Sequence, residues 1–144
     1  MDSLLHSLAT FCCALFAGAA LYINAVEHPA RMSCGATVAL SQWKPSYRRA
    51  TILQASLAIL GFLFALSAWL NGSGTASLIA GVLLGLVVPF TIFVIMPTNN
   101  RMMALDQNSN EKSIEMLLSR WNALHLIRTL MSIASLVIFI FAGN

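Results

Sequence analysis

Residues 50–100 read ATILQASLAILGFLFALSAWL, NGSGT and ASLIAGVLLGLVVPFTIFVIMPTNN, and no Asp, Glu, Lys or Arg lies between Arg49 and Arg101. A bilayer-spanning helix needs roughly 20 mostly apolar residues, so this run holds two. Asn71, Gly72, Ser73, Gly74 and Thr75 form a turn-prone break, which places spans at about 50–70 and 75–97 as antiparallel neighbours with a very short connection. Working outward, a first span covers about 3–26 without a formal charge, and a fourth covers about 122–142, interrupted near its start by His125 and Arg128. The expectation is an all-α transmembrane four-helix bundle, one domain over 1–144, with both termini on the same side.

The composition agrees. Of 144 residues, 58% are hydrophobic and 9% charged, against about 25% charged in a soluble domain; mean hydropathy is +0.79. An integral, multi-pass membrane protein in contact with lipid follows. The leading segment carries Asp2 and no Lys or Arg, the reverse of a secretory leader, so the first span is read as a retained helix. Arg31, Lys44, Arg48 and Arg49 fall in the first loop and Arg101, Lys112 and Arg120 in the third, which by the positive-inside rule puts the termini away from the cytoplasm. The net charge of +3 thus belongs to membrane ends, where anionic lipid attracts it, and nucleic-acid binding is excluded. The three cysteines, Cys12, Cys13 and Cys34, make no CxxC pair, which removes a disulfide-generating activity; Cys12 and Cys13 read as small apolar helix fillers.

Local signals add detail. Gly81 and Gly85 form GxxxG, and Ala14, Ala17, Gly18 and Ala20 put small side chains on the first helix, so backbones approach closely. Pro89 should kink the third helix and Pro29 should bend or end the first. Pro45 suits the first turn of a helix that begins before the second span. Asn108, Ser109, Asn110 and Glu111 resemble a capped helix start, after which Ile114, Leu117, Leu118 and Trp121 repeat at i, i+3, i+4, i+7 and carry the fourth helix into the membrane.

Polar residues collect at one end. Asn24, His28 and Arg31 share a face of the first helix, with Glu27 beside them. Trp121, His125 and Arg128 repeat that spacing on the fourth, with Arg120 and Asn122 adjacent. The second helix brings Trp43, Tyr47, Arg48 and Arg49 to the same end, and the third brings Pro97, Thr98, Asn99, Asn100 and Arg101. Arg128 lies about 8 Å inside the hydrocarbon edge, where an unpaired arginine costs at least ~2.5 kcal/mol. Glu27 is the one acid close to a span at that end, so a Glu27–Arg128 contact is expected. His28 and His125 titrate near neutral pH and are candidate general bases. Joined by Glu27 they make a candidate non-haem iron set, or alone candidate haem ligands; the spacing fixes neither, and the working expectation is no bound metal. His6, at the opposite face, stands apart.

GAALYINAVEHPAR (18–31), Trp43 with Tyr47 and Arg49, Pro97-Thr98-Asn99, and RWNALHLIR (120–128) together resemble the anthrone oxygenase-like integral membrane family. Many of its members are an uncharacterised four-helix domain, and a fungal branch oxidises polyketide anthrones to anthraquinones. The resemblance implies oxidation by dioxygen without a bound redox cofactor, which needs a base and cations for the oxyanion. It casts His125 or His28 as base, Arg31 and Arg128 as anion holders, and Trp43, Tyr47 and Trp121 as stacking partners for a flat hydrophobic aromatic substrate. Glu27, Asn24, Asn99 and Arg120 complete the expected site. Such a pocket should enclose several hundred cubic ångströms, open to lipid and lined by His28, Trp121, His125 and Arg128.

A non-enzymatic reading stays open beside it: a lipophile-binding protein, or an accessory subunit of a homo-oligomer or larger membrane complex, in which the polar cluster stitches helices together. Transport is disfavoured, because four helices with one polar end supply no second gate and no internal repeat.

Overall fold

A computed structural model describes residues 2–106 and 108–143. Four helical rods form. The first consists of α1 (Asp2–Tyr22), a π-helical turn at Ile23–Glu27 and α2 (His28–Ser33); the second is α3 (Ala36–Leu70). The third runs from α4 (Thr75–Phe90) through a second π-helical turn at Thr91–Ile95 into α5 (Met96–Ala104), and the fourth is α6 (Glu111–Ala142). Among the described residues there is no strand. All four rods are long and apolar enough to cross a membrane.

Successive rods are antiparallel and pack in a ring, first on second, second on third, third on fourth and fourth on first, with little contact across the diagonals. Large side chains such as Phe11, Ile52, Phe93 and Phe141 point outward, while the centre combines many small ones, Ala9, Cys13, Ala20, Ala58, Ala65 and Ala80 being fully buried, with a few large ones, Phe16, Leu84 and Phe139. This inversion of a soluble protein's pattern lets backbones approach closely where lipid removes the hydrophobic drive between helices. The GxxxG of α4 serves that approach inside the bundle. A Cβ on Gly81 would come within 2.3 Å of the Ala65 Cβ, and one on Gly85 within 3.2 Å of the Phe62 ring. At the termini's end, His6 bridges Ser77 Oγ (2.8 Å) and the Phe139 carbonyl (3.1 Å), tying α1 to α4 and α6.

Pro29 and Pro97 each stand two residues past the end of a π-turn. The His28 amide donates to the Ile23 carbonyl and the Met96 amide to the Thr91 carbonyl, both five residues back. The wider turn makes room for a pyrrolidine ring that would clash with the preceding turn of a regular helix. The first helix is therefore carried past Pro29 to Ser33 instead of ending there. Pro89 likewise sits inside α4, and the second π-turn opens two residues after it. Helix α3 starts at Ala36, nine residues before Pro45, so this proline is interior and not at a helix start; it frees the carbonyl of Ser41, an exposed residue. As expected, α6 begins at Asn110, whose Oδ1 accepts from the Lys112 amide (2.9 Å), and Ile114, Leu118 and Trp121 are buried along it.

Replacing Gly81 with Val should destabilise the bundle by about 1–3 kcal/mol, because overpacked cores relax poorly. Gly18→Ala, where an added Cβ meets nothing within 4 Å, should leave stability within about 0.5 kcal/mol. Unfolding in mixed micelles checks the pair.

Candidate functional site

The first π-turn brings Asn24 against α6. Its amide donates to Asn122 Oδ1 (2.8 Å) and to the Asn122 carbonyl (3.3 Å), which fixes Oδ1 as the free acceptor. His125 Nδ1 lies 2.8 Å from that oxygen and must be the donor; Thr129 Oγ1 donates to it at 2.6 Å. The neutral imidazole therefore carries its lone pair on Nε2. His125 and Thr129 are buried, so the Nδ1 side of the ring is held away from solvent by Asn24, while Nε2 has no protein partner among the described residues.

One turn beyond, Arg31 forms the ion pair with Glu27. The same Glu27 oxygen accepts from Gln42 Nε2 (2.9 Å) and Ser46 Oγ (2.7 Å), joining the first rod to α3. The Arg31 guanidinium lies 5.8 Å from the centre of the Trp121 ring, within cation–π range. Trp43 and Tyr47, one turn apart on α3, stack with centroids 4.8 Å apart and 5° between planes, and Trp43 meets Trp121 edge-on at 5.7 Å. Trp121 in turn leans on His125 at 4.9 Å and His28 at 5.7 Å.

Arg128 does not meet Glu27. It donates to Gln54 Oε1 (2.6 Å) and its guanidinium sits 5.1 Å from the Phe16 ring centre. Depth explains the correction. Phe16 precedes Glu27 by eleven positions, roughly 16 Å of helix at 1.5 Å per residue, and Glu27 is already held by Arg31, Gln42 and Ser46. The membrane arginine thus has a neutral partner.

These side chains enclose two adjoining spaces. A polar cleft of about 20 Å³ is lined by Arg31, Trp43, Tyr47, Asn99, Trp121, His125 and Arg128, together with Ser46, Thr51 and Gln54. That is room for one or two water-sized molecules. Behind Thr51, Gln54 and Arg128 lies a chamber of about 210 Å³ whose other walls are chiefly apolar, among them Phe16, Ala58, Val87, Val88 and Met96. The expected single large polar pocket is therefore split, with the volume on the apolar side. Buried polar groups without partners are concentrated on the cleft's lining, mostly donors, Arg31 Nε and Nη1, Trp43 Nε1, Gln54 Nε2, Asn99 Nδ2 and Arg128 Nε, with one acceptor, Asn99 Oδ1. Leaving such groups unpaired costs about 1–3 kcal/mol each, so the lining suits an acceptor-rich or anionic guest.

Of the residues singled out in the sequence, Arg31, Trp43, Tyr47, Asn99, Trp121, His125 and Arg128 line the cleft. Asn24 and Glu27 stand behind it as supports for His125 and Arg31, and His28 flanks Trp121 outside the lining. Arg120 is exposed and takes no part in the lining. Gln54 was missed, although a lone amide inside an uncharged span is the signal that marks such a residue. Among the described residues no three of His, Cys, Asp or Glu cluster as metal ligands, so His28, His125 and Glu27 do not form the three-ligand set considered above.

The fold and the cleft define a multi-pass four-helix bundle of membrane type with a cationic, aromatic-lined site enclosed at one end. The chain belongs to the anthrone oxygenase family, whose sequence profile matches residues 43–138. That match takes in Trp43, Tyr47, Gln54, Asn99, Trp121, His125 and Arg128, and leaves Asn24, Glu27, His28 and Arg31 outside it. The chain is also similar to the anthrone oxygenase tpcL of Aspergillus fumigatus, 40% identical over 63 residues, a match covering 42% of this chain and 39% of that protein. No solved structure matches.

Asn24→Leu should cost about 1–3 kcal/mol by removing the partners of His125 Nδ1 and Asn122 Oδ1, while Thr129 keeps the His125 carbonyl as acceptor, and should release the imidazole tautomer. Nitrogen-15 spectra of labelled histidine would show His125 unprotonated at Nε2 in the parent, and a tautomer mixture in the variant.

Proposed function

We propose that the protein oxidises a hydrophobic phenol or anthrone-like substrate with dioxygen, using the side chains of the cleft and no bound redox cofactor. What carries this reading is the pairing of a histidine whose free lone pair is fixed on Nε2 with two guanidiniums, Arg31 and Arg128, lining the same cleft. In the reaction His125 takes a proton from the central-ring methylene, whose carbanion is conjugated through the flanking aromatic rings to the carbonyl opposite. The charge that develops on the carbonyl oxygen is met by Arg128, with Arg31 and the Trp43 indole N–H as further donors. The carbanion reduces dioxygen and bonds to it, giving a hydroperoxide after reprotonation. Loss of water then leaves a new carbonyl. In balance, a CH₂ group and O₂ become C=O and H₂O. Trp43, Tyr47 and Trp121 pack against the aromatic edge, and Asn24 and Glu27 hold His125 and Arg31 in place.

Seven of the eight Lys and Arg residues lie on the loops and helix ends at the cleft's end of the bundle, which supports a cytoplasmic position for the site. Its substrate arrives from the membrane.

With anthrone as probe, the purified protein should consume oxygen above the spontaneous rate. His125→Ala should lower that rate by about 10²–10⁴-fold, and Arg128→Met by about 10²–10³-fold. Unchanged uptake in His125→Ala would overturn the assignment. Tight anthrone binding without oxygen uptake by the parent would establish the lipophile-binding reading in its place.

A further inference from the structure

We propose that the apolar chamber between α3 and the third rod takes the ring system of a flat lipophilic phenolate directly from the bilayer, and that the phenolate oxygen displaces Gln54 from Arg128. The inference rests on reading the site as one for lipophilic phenols, but not on turnover.

Volume sets the first constraint. At about 20 Å³ the polar cleft has no place for fused rings, whereas the adjoining chamber offers about 210 Å³. Location sets the second. The chamber is walled by residues 51–58 of α3 and 87–96 of the third rod, within helices long and apolar enough to cross a membrane. Ile92 on its rim is exposed on the outer face of the bundle, so the opening meets acyl chains and a guest has to be lipophilic.

Charge sets the third constraint. Among the described residues, Arg128 is the one charged residue on the chamber wall. Its partner there is the neutral Gln54 and its Nε has none, while the carboxylate of Glu27 is occupied elsewhere. Gln54 is 2% exposed and its own Nε2 is unpaired. An anionic oxygen at the inner end of the chamber would satisfy both groups: Arg128 would exchange a neutral acceptor for a charged one, a stronger bond, and the released amide could turn its N–H₂ toward the same oxygen. A flat aromatic body is favoured over an acyl chain because the chamber is compact, has the Phe16 ring in its wall, and shares Thr51, Gln54 and Arg128 with the cleft that holds Trp43, Tyr47 and Trp121. The ring system would thus lie in the chamber while its reacting edge reaches toward His125.

The test is binding of two probes to the full chain in detergent, 2-hydroxyanthraquinone at a pH where its hydroxyl is ionised, and anthraquinone, followed by quenching of tryptophan fluorescence. The parent should bind the phenolate at least about tenfold more tightly than the neutral quinone. Arg128→Gln should bring that ratio close to one while anthraquinone binding persists. Ala55→Phe, which fills the chamber, should weaken both probes about tenfold or more; should that variant not fold, Val88→Phe from the opposite wall gives the same reading. Equal binding of the two probes by the parent, unchanged binding in a folded chamber-filling variant, or displacement of the phenolate by equimolar oleate would overturn the proposal. The expected binding pattern in a protein that consumes no oxygen would uphold the chamber and end the oxygenase reading. Oxygen uptake indifferent to chamber filling would do the reverse.

Discussion

A guanidinium placed among apolar helices has to be neutralised, solvated or held by dipoles, and among the described residues Arg128 meets the Gln54 carbonyl and the face of Phe16. A central arginine costs roughly 2.5–3.5 kcal/mol on insertion scales, an outlay that packing alone would avoid by substituting leucine. The neighbouring rods arrange themselves around this charge. Gln54 is buried on α3, Phe16 on α1, and both the polar cleft and the apolar chamber have Arg128 in their walls. The residue stands at the boundary between a polar and an apolar compartment.

The two π-turns determine how side chains reach that boundary. Each lets its rod pass a proline without stopping, so the first rod reaches Arg31 as a helix and the third reaches Asn99. The turn at Ile23–Glu27 carries Asn24, which orients His125, and Glu27, which anchors Arg31 to α3. Bulged helical turns recur at functional sites because they re-aim side chains at little cost in backbone hydrogen bonds.

Much of this was legible in the sequence. The uncharged run between Arg49 and Arg101 gave the two central helices and their turn, Asn110 announced the start of α6, and the i, i+4, i+7 repeats of Asn24, His28, Arg31 and of Trp121, His125, Arg128 brought the first and last rods face to face. Periodicity reports a face, however, not a depth or a partner. It pairs Glu27 with Arg128 because Glu27 is the one acid close to a span at that end, whereas an acid one turn from Arg31 is captured locally before a residue several turns deeper can reach it. The division into cleft and chamber was equally hidden, since it depends on how Gln54 and Arg128 meet across the bundle. Prolines were less legible: Pro29 signals either a bend or an end and Pro45 a first turn, and each lies within a continuous rod.

Stabilisation of an anionic oxygen at Arg128 from the membrane side is central to the proposed chemistry. The most direct measurement is the visible spectrum of bound 2-hydroxyanthraquinone as a function of pH, since its colour reports the ionisation of the hydroxyl. The account predicts that the bound chromophore is ionised at a pH where the free one is neutral, and that Arg128→Gln abolishes the effect. A chromophore that binds the folded parent protein and titrates as it does in empty detergent micelles would contradict it.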